Sequence, residues 1–173
     1  MNTKFYKKVN TNEEKEMFNG VWQTCWAEKG FEFEYFNTPY QYLFFKKNNP
    51  AACVELKELK QGLTSYYASC KELKGKNVVE IDKLSILNEY RSGNILLKIF
   101  SFLYEFAEAR EVDYYVSIIE PNLYSSLMER GFPFNQVDEP FYYKGDYVVP
   151  VVLDVQKALG KVGQKLRLKK TTA

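Results

Sequence analysis

An α/β domain, with a mixed and largely antiparallel sheet flanked by helices, is the fold class this sequence predicts. Three observations predict it. Two stretches, residues 13–28 and 94–110, repeat apolar residues at spacings of three and four, as helix faces do. Several short runs rich in aromatic and β-branched residues read as strands. Helices alternate with strands toward both ends while strands follow one another in the middle, in the order β-α-β-β-β-α-β-α-β-β.

The elements follow in order. Residues 4–9 read as a short strand. Thr11 or Asn12 caps the helix over 13–28, because Glu13 and Glu14 suit the positive end of its dipole. Met17, Val21, Trp22, Cys25 and Trp26 form its apolar face, and Gly30 stands where a helix-ending glycine belongs. Two aromatic runs, 31–36 and 40–45, are separated by Asn37-Thr38-Pro39; the second, "YQYLFFKK", is a strand that the turn at 48–50 ends. Residues 51–59 are another strand, whose alternation leaves Glu55, Lys57 and Lys60 variously exposed. Residues 60–75 fit a strand, a loop or a short helix equally. Residues 79–87 are a strand that breaks at Asn88-Glu89-Tyr90-Arg91, and a helix restarts at about Asn94 with Ile95, Leu96, Ile99, Phe100, Leu103, Phe106 and Ala107 on its face. A strand over 114–119, a short helix over 122–130 closed by Gly131, and two strands about the turn Lys144-Gly145-Asp146 complete the chain.

The 173 residues suffice for one domain with a real core. With 14 tyrosines and 13 phenylalanines, much of that core must be ring against ring. No apolar run reaches the 18 or so residues of a membrane span, and the opening "MNTKFYKKVN" lacks the apolar stretch of a secretory signal. A cytoplasmic protein is the expectation. Cys25, Cys53 and Cys70 are odd in number, widely spaced and without a CxxC pair, so neither a disulfide framework nor a zinc site is expected. The chain has no histidine. That removes Ser-His and Cys-His nucleophile pairs and HExxH metalloproteases, and leaves acid–base work to Glu, Asp, Tyr, Lys, Cys or water. No metal site is expected. A net charge of +2 gives no strong steering by the whole chain. The tail "GKVGQKLRLKKTTA" is basic without an acid, which suits a solvated end better than a nucleic-acid contact.

The stretch over 79–97, "VEIDKLSILNEYRSGNILL", is the most informative. A strand that ends in a basic, glycine-containing turn and feeds a helix is a phosphate-binding geometry. The first helical N–H groups have no partner within the helix, and its dipole favours an anion there. Gly93 would let the backbone approach closely and Arg91 would add a charged fork.

With its surroundings, this stretch resembles the GNAT superfamily of acyl-CoA-dependent N-acyltransferases. That family shows a strand, a short Pro/Asn-Glu-Tyr-Arg turn and a glycine-rich Arg-x-x-Gly-x-Gly/Ala loop opening a helix. Here "EIDKLSILNEYRSGNILL" carries the strand and the turn, and "NLYSSLMERGF" is similar to the short helix ending in Gly-Phe before the last two strands. The likeness spans most of residues 3–155, within a domain taken as 1–158 followed by a basic tail over 159–173. It implies a sheet splayed near the strand over 79–87. Aligning Arg91 with the family's arginine puts Asn94 at the first loop glycine and Leu96 at the second small residue, with Gly93 one place away. The stretch 80–86 and "YYKGDYVVPVVLDV" are also similar to acyl-homoserine-lactone and N-acyl amino acid synthases, which usually carry arginine where this chain has Lys83.

What the resemblance implies is an N-acyltransferase that moves an acyl group, acetyl first, from acyl-CoA to a small-molecule amine by direct attack. Leu84, Ser85 and Ile86 would pair through their backbone with the pantetheine arm, and Arg91, Ser92, Gly93, Asn94, Ile95 and Leu96 would hold the pyrophosphate. Glu80 falls where relatives keep a general base, the alternative being a solvated ion pair with Lys83 or Lys57. Asp82 points the same way by period two and would assist. Tyr124 is the candidate general acid, although the family's tyrosine aligns nearer Leu127, and packing is its other reading. Glu120 binds the acceptor amine or caps the next helix. The aromatics of "FEFEYF" and "YQYLFF" line a pocket or pack the core. The alternatives are a synthase that takes its acyl group from acyl carrier protein, and a GNAT-like binding module without catalysis.

Overall fold

The computed structural model describes residues 5–59, 66–92 and 94–160, and its elements follow the predicted order with three local differences. Helix α1 (Asn12–Lys29) begins at Thr11, whose hydroxyl accepts from the Glu14 N–H while the Glu14 carboxylate accepts from the Thr11 N–H, a reciprocal capping box. It ends at Gly30 in the left-handed conformation, φ 77°. Strands β1 (Tyr6–Lys8), β2 (Gln41–Lys46) and β3 (Asn49–Glu58) are antiparallel neighbours.

The turn expected at 48–50 lies one residue earlier. Lys47 and Asn48 both have positive φ, 50° and 69°, making a two-residue hairpin whose twist matches its strands. Pro50 sits inside β3 opposite Phe45, where the register shifts, which is where a strand tolerates proline.

Strand β4 (Val78–Ile86) gives way to a single 3₁₀ turn over Asn88–Tyr90, and helix α2 (Ile95–Arg110) follows. Strand β5 (Tyr114–Ile119) leads to helix α3 (Pro121–Glu129), with proline at the helix start where its missing N–H costs nothing. The chain end holds three strands rather than the two expected: β6 (Phe134–Gln136), β7 (Phe141–Tyr143) and β8 (Asp146–Asp154). Among residues 60–75, whose structure the sequence left open, Lys71–Leu73 forms a 3₁₀ turn and 60–65 lie outside the described residues. Lys60 and, from residue 161 onward, the basic tail also lie outside them. Residues 155–160 are helical. No helix among the described residues is long and apolar enough to cross a membrane.

The eight described strands belong to a mixed, largely antiparallel sheet, the predicted α/β class. The molecule divides into two compact units. The first takes in the described part of Met1–Glu58 with Glu80–Leu103 and Tyr142–Asp146. Its core is Phe18, Val21, Trp22, Leu43 and Cys53, with Met17, Trp26, Phe45 and Leu87 packed against it. Fully burying a side chain such as Leu43 contributes about 1.5–3 kcal/mol, and the edge-to-face Trp22–Trp26 pair at 5.2 Å adds to that. The second unit takes in the described parts of Leu59–Val79 and of the chain from Tyr147, with Tyr104–Phe141, and in it β8 is antiparallel to both β5 and β6. Its core is Tyr67, Cys70, Leu73, Val78, Val116 and Val152. All three cysteines are free and buried.

Candidate functional site

Strands β3 and β4 of the first unit build the site. Residues of β4 alternate in burial: Val79, Ile81, Lys83 and Ser85 are buried, while Glu80, Asp82, Leu84 and Ile86 are half-buried. Strand β3 does not alternate. Ala51 to Leu56 are buried without a break, as in a strand covered on both faces. Glu55 lies in that run, and the exposure expected for it is overturned: its side chain is 1% exposed.

A buried carboxylate needs partners, and Glu55 has Lys83, Gln41 and a hydrogen bond shared with Asp82. The Lys83 ammonium donates to its Oε1 at 2.6 Å, and the Gln41 side chain donates to its Oε2. Lys83 donates also to Asp82 Oδ2 at 2.8 Å and lies 5.2 Å and 5.5 Å from the ring centroids of Trp22 and Trp26. Burial opposes the charge on Lys83, but Asp82 and Glu55 outweigh it and hold the amine proton more tightly than usual. Asp82 Oδ1 accepts from Lys57 at 2.5 Å, so both its oxygens carry an ammonium. Burial pushes the Asp82 carboxyl up, yet Lys83, the hydrogen bond shared with Glu55 and Lys57 together bring it below its ordinary value.

Glu80 differs from its neighbours. Its side chain makes neither a hydrogen bond nor an ion pair with the described residues, so the expected pairing with Lys83 or Lys57 goes to Asp82 instead. Burial first, and then the negative charge of Asp82, push the Glu80 carboxyl above its ordinary value. Glu80 and Asp82, alike on paper, are thus driven apart: one is a clamped anion, the other an unclaimed proton acceptor.

The segment after α1 lies by this cluster. Phe36 places its ring 3.8 Å from the Lys57 ammonium, and Phe33 and Tyr35 meet Trp22 edge-to-face at 5.4 Å and 5.3 Å. Phe33, Tyr35 and Phe36 are nonetheless exposed, whereas Tyr42, Leu43 and Phe44 of the second aromatic run are core. The segment is tied down by the Glu32 N–H donating to the Lys144 carbonyl, by the Lys144–Glu34 ion pair and by Thr38, whose hydroxyl donates to the Leu56 carbonyl.

The residues assigned to the donor lie at the end of β4 and the start of α2. Ser85 is buried. Arg91 donates through Nε to the Ile86 carbonyl at 2.8 Å and through its terminal nitrogen to Glu28 at 2.6 Å, which ties the turn to α1. Ser92 and Asn94 are exposed, and the Asn94 carbonyl accepts the first helical bond, from Lys98. Ile95 and Leu96 point inward, so their backbone N–H groups are what they offer an anion. Gly93 lies outside the described residues. In the second unit, Tyr124 is half-buried on α3 and Leu127 is core. Glu120 holds the position before α3, but its side chain makes no capping hydrogen bond; its carbonyl accepts from the Tyr124 N–H. No cluster among the described residues could hold a metal ion.

The sequence reading expected Glu55 to be variously exposed, weighed Lys57 only as an ion-pair partner of Glu80, and left Phe36 among the rings that line a pocket or pack the core. A signal existed for the first: a lone glutamate inside "AACVEL" interrupts an otherwise continuous apolar run, which marks a buried and therefore paired carboxylate. None existed for Phe36, one exposed ring among many.

No family model matches the chain, and no curated protein matches it in sequence. Solved structures do. FeeM, an N-acyl amino acid synthase from uncultured soil microbes, is similar at a TM-score of 0.73 and 16% identity over 87% of this chain and 90% of its own. BjaI, a CoA-dependent acyl-homoserine lactone synthase solved with SAM and isopentyl-CoA, gives 0.61 at 13% identity over 92% and 87%. Naa50 of Arabidopsis thaliana, solved with the bisubstrate analogue CoA-Ac-MVNAL, gives 0.58 at 14% over 85% and 95%. With sequence identity this low and coverage this complete, what is shared is the arrangement of helices and strands, and the chain has the GNAT acyltransferase fold.

Proposed function

We propose that this chain is an N-acyltransferase that moves an acyl group from acyl-CoA, the donor substrate, to an amine by direct attack. The observation that carries the reading is Glu80: a carboxylate on β4 with raised proton affinity and no bonded partner, beside a carboxylate held ionised. An amine attacks only as the free base, and a carboxylate whose pKa lies nearer neutrality takes its proton more effectively. Glu80 fills that role, with Asp82 supplying the fixed charge that keeps it basic. Tyr124 is assigned as the acid that reprotonates the leaving thiolate. The backbone of Leu84, Ser85 and Ile86 is assigned to the pantetheine arm, and the turn and first helical N–H groups over 91–96 to the pyrophosphate. The inward packing of Ile95 and Leu96 suits that assignment, because their side chains do not stand over the first helical N–H groups. Two of the solved structures with this fold carry CoA derivatives, which supports the same donor here. The likeness to FeeM, an N-acyl amino acid synthase, supports an amino-group acceptor on a small molecule; acyl carrier protein is the alternative donor.

The test is a thermal-shift titration with acetyl-CoA, a long-chain acyl-CoA and free CoA, followed by thiol release with a panel of amines. Ligand at about a hundred times its Kd stabilises by roughly 2.7 kcal/mol, several degrees for a domain of this size. A shift with turnover supports the transferase. A shift without turnover on any amine favours a binding module, and no shift favours a carrier-protein donor.

A further inference from the structure

Four charged groups act on Glu80: Asp82 and Lys83 on its own strand, Lys57 on β3 and Glu34 on the segment after α1. Three of them are committed elsewhere. Lys83 is buried between Glu55 and Asp82, Asp82 carries two ammonium groups, and Glu34 pairs with Lys144. Lys57 is placed differently. Its ammonium donates to Asp82 Oδ1 at 2.5 Å and rests 3.8 Å from the centroid of the Phe36 ring, with its side chain 13% exposed. It makes no bond to Glu80.

We propose that Lys57 is a positioning residue of this site: pinned between the Asp82 carboxylate and the face of Phe36, it fixes a positive charge beside Glu80 and so sets the pH at which Glu80 accepts a proton. The proposal rests on Glu80 being the base. Burial and the Asp82 charge both favour protonated Glu80. A cation opposes them. Bonded to Glu80 itself, that cation would occupy the lone pairs that must receive the amine proton. Held on Asp82 and an aromatic ring, it acts through space and leaves those lone pairs open. The ring suits the task because its face attracts an ammonium without supplying another titratable group.

The test follows Glu80 directly, without substrate. The full chain is labelled with ¹³C at glutamate side-chain carboxyls, the Glu80 signal is assigned by its loss in Glu80→Gln, and its titration midpoint is measured. In Lys57→Met the midpoint should rise by about one pH unit, the usual size for losing a nearby opposite charge. In Lys57→Arg it should hardly move. The acid limb of the pH–rate profile for acyl transfer should rise with the midpoint, which a purely structural lysine would not cause. If Lys57→Met does not fold, Lys57→Gln takes its place. An unmoved midpoint in the uncharged variant overturns the proposal, as do equal shifts in the methionine and arginine variants. A risen midpoint with no acyl transfer by the unaltered protein supports the charge placement and overturns the proposed function instead.

Discussion

The Lys83 ammonium and the Glu55 carboxylate meet at 2.6 Å with both side chains 1% exposed. Twenty-eight residues of chain separate them. Their union makes the floor of the candidate site, because the same ammonium reaches Asp82.

Breaking that pair from one side strands a buried charge. Lys83→Met should therefore destabilise the protein by about 3–5 kcal/mol, read from urea unfolding. Lys83→Met combined with Glu55→Gln removes both charges and should recover most of the loss. A double variant as unstable as the single one would mean that the site depends on the ammonium for shape rather than charge balance.

Glu80→Gln should reduce acyl transfer by about 10²- to 10⁴-fold while leaving CoA affinity unchanged. The pH dependence has two signs. Because the folded protein holds the Glu80 proton above its ordinary pKa, the unaltered rate should climb as pH rises through that raised value. Stability should run the other way. The unfolded chain releases this proton first, so the native contribution is complete below the ordinary glutamate pKa and declines as pH rises through the folded one. Glu80→Gln should thus be more stable than the unaltered protein at pH 7, with the difference vanishing near pH 4. Paired melting curves at the two pH values decide it.

Arg91 already spends donors on Ile86 and Glu28. A guanidinium that also reaches phosphate should show a selective loss: Arg91→Ala should weaken CoA by about 10- to 100-fold, and pantetheine far less. Isothermal titration of both ligands separates the cases. Equal losses would assign Arg91 to holding the turn alone.

Gly145 turns the hairpin between β7 and β8 with φ 110°, and a methyl group there would overlap the Gly30 carbonyl oxygen. Gly145→Ala should cost about 1–3 kcal/mol for the strained backbone alone. That predicts a melting temperature lower by several degrees. An unchanged melting temperature would show that the contact between hairpin and Gly30 gives way freely.

Much of the fold was legible because its determinants are local. The Thr11–Glu14 capping box, the spacing of Val21, Trp22 and Cys25, and the glycine at 30 lie within a few turns of one another, and α1 begins and ends where they direct. The run over 114–119 became β5 without adjustment, since β-branched and aromatic residues flanked by breakers leave few other choices. The hairpin at Lys47-Asn48 was misplaced by one residue because proline reads as a breaker, while the register shift that tolerates it depends on β2.

The site divides along the same line. By itself the sequence determined that histidine chemistry is absent, that Glu80 and Asp82 share a strand, and that a basic turn opens a helix after it. Only the tertiary structure decided which carboxylate is clamped and which is free. That choice depends on where the ammonium groups of Lys57 and Lys83 arrive from β3 and β4, and on an aromatic ring from the segment after α1. The reason is physical. A charge's proton affinity follows from burial and from neighbours within a few ångströms, and in a sheet those neighbours come from distant parts of the chain.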